Sequence, residues 1–249
     1  MAVVIPHPTL HPTHLTPPAK KQERAFILYE KARLPLAQPP VPERNAEKRP
    51  APTTKKRRMS LQVKPMFTAQ EYLDWERQQD TRHEYFDGEI FAMTGASRKH
   101  NLLCGNVFSS LHAQLRGRPC EVYANDMRVK VSETGMYTYP DIVAACESPA
   151  FEDAAVDTLL NPVLIIEVLS DSTERYDRGT KFLHYRTLPS LQDYLLVAQD
   201  VCRVEHYARQ ADHRWLLTEY QDPDDSIHLE SMACRLVLRE IYERVMVQS

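Results

Sequence analysis

Tyr139-Pro140-Asp141-Ile142-Val143, followed by Val163-Leu164-Ile165-Ile166-Glu167-Val168-Leu169-Ser170, is the part of the chain whose reading decides the fold. Asp171-Ser172-Thr173 and a segment carrying Asp177, Lys181 and Tyr185 come next. The two short runs rich in Val and Ile read as buried strands. Each carries one carboxylate where an apolar residue is expected, Asp141 in the first and Glu167 in the second. An unpaired buried carboxylate costs roughly several kcal/mol unless a cation or hydrogen bonds compensate. Two of them on neighbouring strands would repel, so a positive group between them is expected. A divalent metal is the economical choice, because hard cations take carboxylate oxygens.

These residues also carry a resemblance. Pro140-Asp141, the later strand Glu167-Val168-Leu169 and a downstream lysine resemble the PD-(D/E)xK nuclease superfamily. More closely, Glu167-Val168-Leu169-Ser170 with Ser172-Thr173, Asp177, Lys181 and Tyr185 resembles the Uma-two family of restriction-endonuclease-like proteins. Arg82-His83-Glu84-Tyr85-Phe86-Asp87-Gly88-Glu89-Ile90 and the helix opening at His100 match the same pattern, so that the likeness covers residues 67–245. It implies an α/β (α+β) fold, with a restriction-endonuclease-like core of one central mixed β-sheet flanked by helices. It further implies a Mg²⁺- or Mn²⁺-dependent endonuclease acting on nucleic acid, DNA above all. Enzymes that cut both strands commonly pair, which makes a homodimer a further expectation. One departure stands out: the superfamily's usual lysine would stand two residues after the glutamate, and that place is Leu169.

Composition sets outer bounds. At 249 residues the chain is long enough for a sizeable core. No run approaches the ~18 apolar residues of a membrane span and the N-terminus lacks a secretory apolar region, so a cytoplasmic protein is expected. Five scattered cysteines, odd in number and without a CxxC pair, argue against a disulfide framework and against a zinc site. The net charge of −3 hides an asymmetry: residues 1–58 hold 12 Lys and Arg against 4 Asp and Glu, and the remainder holds 19 against 30. An acidic core speaks against tight, sequence-independent DNA binding, though not against metal chemistry.

Residues 1–63 contain 11 of the 18 prolines and no glycine, and read as a disordered tail preceding a single domain over 64–249. Ala25–Tyr29 offers one helical turn that nothing sustains. Lys55-Lys56-Arg57-Arg58 is a solvated charge run or a tether for nucleic acid, and a start at Met59 or Met66 would account for the whole tail. Thr68 with Glu71 is a capping box opening a helix through Gln78. Residues 84–93 read as a hairpin turning at Asp87-Gly88. Ser97 caps a helix to Leu115, with Leu103, Val107 and Leu111 on its apolar face. Strands are expected at 121–124, 128–132, 139–145 and 163–169, with a long acidic connection between the last two, and a helix at 175–187. A meander follows at 194–198, 203–209, 215–220 and 226–230, then an amphipathic helix at 236–245 with Leu236, Ile241 and Val245 facing the core. No repeat, Gly-rich phosphate loop or helical DNA-reading motif is present.

Each candidate residue has a functional and a structural reading. Asp141 is a metal ligand or a turn-capping carboxylate bonded to backbone amides. Glu167 is a metal ligand or a buried partner of an arginine. Lys181 orients water and neutralises phosphate charge, or pairs with Asp177 at i,i+4. Tyr185 contacts phosphate or packs. Glu84 matches the carboxylate that many of these nucleases supply from an N-terminal element, or is an exposed hairpin charge. His100 approaches phosphate or is structural. Asp126 and Arg128 read as an ion pair, and Ser170, Ser172 and Thr173 as residues that cap the next helix. The catalytic set is thus Glu84, Asp141, Glu167 and Lys181, with metal held by Asp141, Glu167 and the carbonyl of Val168. An inactive nucleic-acid-binding or regulatory module on the same fold is the alternative, to which Leu169 and the acidic core lean. A hydrolase of small phosphate esters is a third reading.

Overall fold

The structure is a computed structural model that describes residues 66–93 and 95–247. The tail over 1–63, with Ala25–Tyr29 and Lys55–Arg58, lies outside the described residues.

Helix α1 (Ala69–Glu76) opens as read: Thr68 and Glu71 form the reciprocal capping box. It buries Tyr72 and Leu73 against Tyr85 and Tyr137. Strands β1 (His83–Phe86) and β2 (Glu89–Ala92) form the expected hairpin. Asp87 and Gly88 both have positive φ, 49° and 80°, as a two-residue type I′ turn requires. A Cβ on Gly88 would come within 2.7 Å of the Met66 side chain, so glycine is needed for space as well as torsion. Helix α2 (Arg98–Leu115) starts on the Ser97 cap and buries Leu103, Cys104, Val107, Leu111 and Leu115.

After α2 come β3 (Cys120–Ala124), β4 (Arg128–Val131), β5 (Met136–Thr138), β6 (Ile142–Cys146), β7 (Thr158–Leu159) and β8 (Leu164–Val168). A helical segment then runs as α3 (Glu174–Tyr176), a π-helical turn (Asp177–Lys181) and α4 (Phe182–Tyr185). It is followed by β9 (Asp193–Val197), β10 (Val204–Arg209), β11 (Trp215–Tyr220), β12 (Ser226–Leu229), β13 (Cys234–Val237) and α5 (Leu238–Ile241).

The central sheet has six strands in the order β11-β10-β9-β8-β6-β3, mixed because β8 and β9 run parallel while the other pairs are antiparallel. Its inner strand β8 is buried at all five positions. On one face Leu164, Ile166 and Val168 pack with Leu103, Val107 and Leu111 of α2. On the other, Ile165 and Leu169 pack with Tyr185, Tyr194 and Leu196. Covering both faces explains the near-continuous apolar run read from sequence.

Several expectations need correction. The strand expected over 139–145 starts only at Ile142, as β6, and a separate strand, β5, precedes it at Met136–Thr138 in a different sheet. β5 belongs to a second sheet of order β2-β1-β5-β4-β7, and β6 to the central one. Pro140, which lacks an N–H for any ladder, sits at the crossing. The acidic connection contains a short strand, β7, paired parallel to β4. Its carboxylates are tied down, Asp153 and Asp157 by Arg77 and Glu152 by Lys130. The fourth strand of the meander pairs with β13 instead, which replaces the first part of the expected terminal helix. Leu236, Ile241 and Val245 are nevertheless all buried. Asp126 pairs with Arg82 rather than Arg128, whose guanidinium is buried against Asp157, Thr158 and Tyr139.

The cysteines are the clearest correction. Cys120 and Cys146 form a disulfide, because β3 and β6 place them directly opposite one another. Spacing along the chain could not show that pairing. Cys104, Cys202 and Cys234 are free.

Candidate active site

The break at Pro140 decides what meets what. It leaves Thr138 at the end of the second sheet and Asp141 at the head of β6, so both sheets contribute to one cluster. Antiparallel β6 and β8 pair Ile142 with Ile166, and the next step along that register sets Asp141 opposite Glu167. Glu84 enters from β1, which pairs with β5 through Tyr85 and Tyr137. The π-helical turn supplies the cation: both Asp177 and Lys181 are buried there. π-turns of this kind recur at functional sites.

Lys181 Nζ lies 3.1 Å from Glu84 Oε1, 3.1 Å from Glu167 Oε1 and 3.3 Å from Asp177 Oδ1. The Tyr185 hydroxyl donates to the same Glu167 oxygen at 2.9 Å. Thr138 donates its hydroxyl to Glu84 and stands 3.2 Å from the Tyr185 hydroxyl. The Tyr194 hydroxyl fixes the turn by donating to the Asp177 carbonyl at 3.0 Å. Every side chain in this cluster is buried.

Three carboxylates therefore share one ammonium. Burial drives the Glu167 carboxyl well above its ordinary range; Lys181 opposes this, and Asp177, Asp141 and Glu84 add to it. Burial also raises Asp177. Burial works against the Lys181 charge, but Glu167, Glu84 and Asp177 outweigh it and hold the ammonium well above its ordinary value. Burial, then Glu167, pushes the Tyr185 hydroxyl well up, so it stays a donor.

Asp141 lies at the more open edge, its side chain 16% exposed. Its Oδ2 accepts the backbone N–H of Val168 at 2.7 Å. His100 Nε2 lies 3.1 Å from Oδ1 and 3.2 Å from Oδ2. One turn further along α2, Cys104 Sγ lies 3.5 Å from His100 Nδ1.

The structure thus brings Glu84, Glu167 and Lys181 into direct contact and places Asp141 beside them. Lys181 makes the i,i+4 pair with Asp177 and the contacts to the other carboxylates at once. Glu167 pairs with a lysine rather than an arginine, and Glu84 is buried rather than exposed. Asp141 both accepts a backbone amide and neighbours the carboxylate cluster. His184 packs edge-on to Phe86, and His206 bonds Asp193 at 2.7 Å. Ser170 accepts the Thr173 N–H and bonds the hydroxyls of Ser172 and Thr173, ordering the loop before α3.

Sequence reasoning missed Thr138 and Cys104. Nothing local marks Thr138, whose role depends on β1 meeting β5. Cys104 had a faint signal, its spacing of four from His100 on one helix face.

The donor chemistry fits a hard divalent ion. Surplus negative charge, a Glu167 carboxyl strained upward by burial, and a carboxylate at the open edge are what such an ion would relieve.

Comparison with known proteins agrees with this architecture. A family model described as "Putative restriction endonuclease" (Uma2) matches residues 69–238. Two uncharacterised proteins of Synechocystis sp. (strain PCC 6803) are similar over most of their length. One, sll1609, is 40% identical over 70% of this chain and 98% of its own. The other, slr1290, is 36% identical over 72% of this chain and 92% of its own. A crystal structure described as "a putative nuclease belonging to DUF820", from Anabaena variabilis, superposes with a TM-score of 0.60. It covers 72% of this chain and 99% of that one at 19% identity, a likeness of fold. With its matched span and its relatives together, the chain belongs to the Uma2 family of restriction-endonuclease-like proteins.

Proposed function

We propose that this chain is a divalent-metal-dependent endonuclease hydrolysing phosphodiester bonds in nucleic acid, with DNA as the substrate. The observation that carries the reading is the cluster in which Lys181 is shared by Glu84, Glu167 and Asp177, within 3.3 Å of each, next to Asp141. Asp141, Glu167 and the Val168 carbonyl are the residues that would hold Mg²⁺ or Mn²⁺. Bound there, the ion supplies an acidified water and charge stabilisation at phosphate.

The chain's own residues do the rest. Asp141 is oriented by the Val168 amide and His100, so its carboxylate is set before any ligand arrives. Glu84, itself held by the Thr138 hydroxyl, pairs with Lys181 from the second sheet. Lys181 keeps its proton, and its ammonium is the group that orients water and neutralises developing phosphate charge. It does so from the helical segment, since position 169 is a buried leucine.

One observation favours the alternative of a non-catalytic nucleic-acid-binding or regulatory module. Lys181 and Glu167 are nearly closed to solvent, with side chains 7% and 5% exposed. The two readings separate on one experiment. Purified protein is incubated with plasmid and linear DNA in Mn²⁺ or EDTA, beside Glu167→Gln. Metal-dependent cleavage absent from the variant supports the nuclease. DNA binding that survives EDTA and yields no product supports the module.

A further inference from the structure

The imidazole of His100 stands between two unlike donors. Its Nε2 faces the Asp141 carboxylate at 3.1 Å and its Nδ1 faces Cys104 Sγ at 3.5 Å. His100 and Cys104 are one turn apart on α2, while Asp141 reaches them from the head of β6. One ligand atom from each of the three lies within 4.8 Å of the other two. An ion takes one imidazole nitrogen only, and with that nitrogen, the Cys104 sulfur and an Asp141 oxygen mutually within 4.8 Å the donor set suits a borderline-soft ion. Zinc takes thiolate, imidazole and carboxylate at about 2.0–2.3 Å, whereas magnesium takes oxygen. The Val168 amide already holds the carboxylate from behind, as outer partners do at metal sites. His100 and Asp141, 14% and 16% exposed, provide the entry from solvent, and Cys104 closes the inner side.

We infer that His100, Cys104 and Asp141 form a site for Zn²⁺, and that its occupation withdraws Asp141 from the hard-metal pair with Glu167. On binding, the Cys104 thiol gives its proton to solvent and its sulfur lone pair to the ion. The zinc site stands independently of the nuclease reading; only the competition rests on it. The sequence-based argument against zinc weighs paired cysteines and not a single one beside a histidine and a carboxylate.

The test titrates full-length protein with Co²⁺ as a spectroscopic substitute, reading the sulfur-to-cobalt charge-transfer band in wild type, Cys104→Ser and His100→Gln. The expected result is a saturable band in wild type that is absent in Cys104→Ser. In His100→Gln the affinity should fall roughly 100-fold or more, since loss of even an outer partner of a metal ligand costs about 10–100-fold. No band in wild type, or a band that survives Cys104→Ser and so belongs to Cys202 or Cys234, overturns the site. Circular dichroism checks both variants. If Cys104→Ser does not fold, unchanged cobalt affinity in His100→Gln overturns the site instead.

A second arm measures Mn²⁺ binding by calorimetry with and without equimolar Zn²⁺. Zinc should weaken Mn²⁺ roughly tenfold or more in wild type, because the ions share Asp141, and markedly less in Cys104→Ser, where only direct exchange at the Asp141–Glu167 pair remains. Equal Mn²⁺ affinity with and without zinc in wild type overturns the competition. Mn²⁺ that fails to bind even without zinc overturns the carboxylate metal pair and the competition with it, while the cobalt band still decides the zinc site.

Discussion

Lys181 Nζ stands 3.1 Å from Glu167 Oε1, reaching β8 from a π-helical turn rather than from the strand itself. Leu169, just past the end of β8, is packed in the core with Tyr185 and Leu196. An ammonium so placed has a structural duty whatever else it does: it is the cation among three buried carboxylates. Lys181→Met removes that charge and leaves Glu84, Glu167 and Asp177 facing one another. The expected cost is about 3–5 kcal/mol, the usual penalty for breaking a buried ion pair from one side. Urea unfolding of the two proteins measures it. The double variant Lys181→Met/Glu167→Gln should recover part of the loss, since the two residues are in contact. A single variant as stable as wild type would show that the carboxylates are already protonated.

The same cluster sets a pH dependence. Burial chiefly, opposed by Lys181 and aided by Asp177, Asp141 and Glu84, raises the folded-state Glu167 pKa above that of an unfolded glutamic acid, about 4.3. Above that unfolded value the folded state binds the extra proton, so stability falls as pH rises toward the folded value. Without metal the protein should therefore lose stability from about pH 4.3 upward on this account, with Asp177 contributing in the same direction. Glu167→Gln should flatten the profile and be at least as stable as wild type at neutral pH, while abolishing Mn²⁺-dependent cleavage. Thermal unfolding across pH checks the first point and plasmid cleavage the second. A variant that cuts at the wild-type rate would remove Glu167 from the site.

What was legible in the sequence was local. The Thr68–Glu71 box, the Asp87-Gly88 turn and the Ser97 cap declare themselves within a few residues, because the hydrogen bonds or torsions that cause them are short-range. Asp141 and Glu167 were legible as charges set in apolar runs, and Glu84 and Lys181 through the family resemblance. Their convergence was not. It depends on β6 leaving the second sheet at Pro140 and on the register of β6 against β8, neither of which any window of sequence contains. The Cys120–Cys146 bond is hidden for the same reason, and the helix expected over 236–245 begins only at Leu238 because pairing of β13 with β12 overrides local periodicity.

That disulfide makes its own prediction. It closes a loop over a sequence separation of 26, for which chain entropy predicts about 3.5 kcal/mol of stabilisation. Replacing both residues by serine, or adding reductant, should lower the unfolding midpoint accordingly, and intact-mass measurement should show one bond in the oxidised protein. An unchanged midpoint with the thiols demonstrably reduced would mean that the β3–β6 ladder suffices to hold this edge.

The remaining prediction concerns metal directly. Asp141 and Glu167 come from adjacent strands, and the surplus of carboxylates around them is the physical reason to expect a cation. Calorimetric titration of the protein with Mn²⁺ should give saturable binding, lost in Asp141→Ala and in Glu167→Ala alike. Asp141→Ala also strips the Val168 amide and His100 of their partner, so its stability should fall by about 1–3 kcal/mol. Glu167→Ala likewise strips the buried Lys181 ammonium and the Tyr185 hydroxyl of a partner and opens a cavity, so its stability should fall by at least as much. Loss of binding in both variants, with circular dichroism unchanged, assigns the ion to the pair. Binding retained in either variant moves the ion elsewhere. No binding in folded wild type would leave Lys181 as the site's resident cation and favour the non-catalytic module.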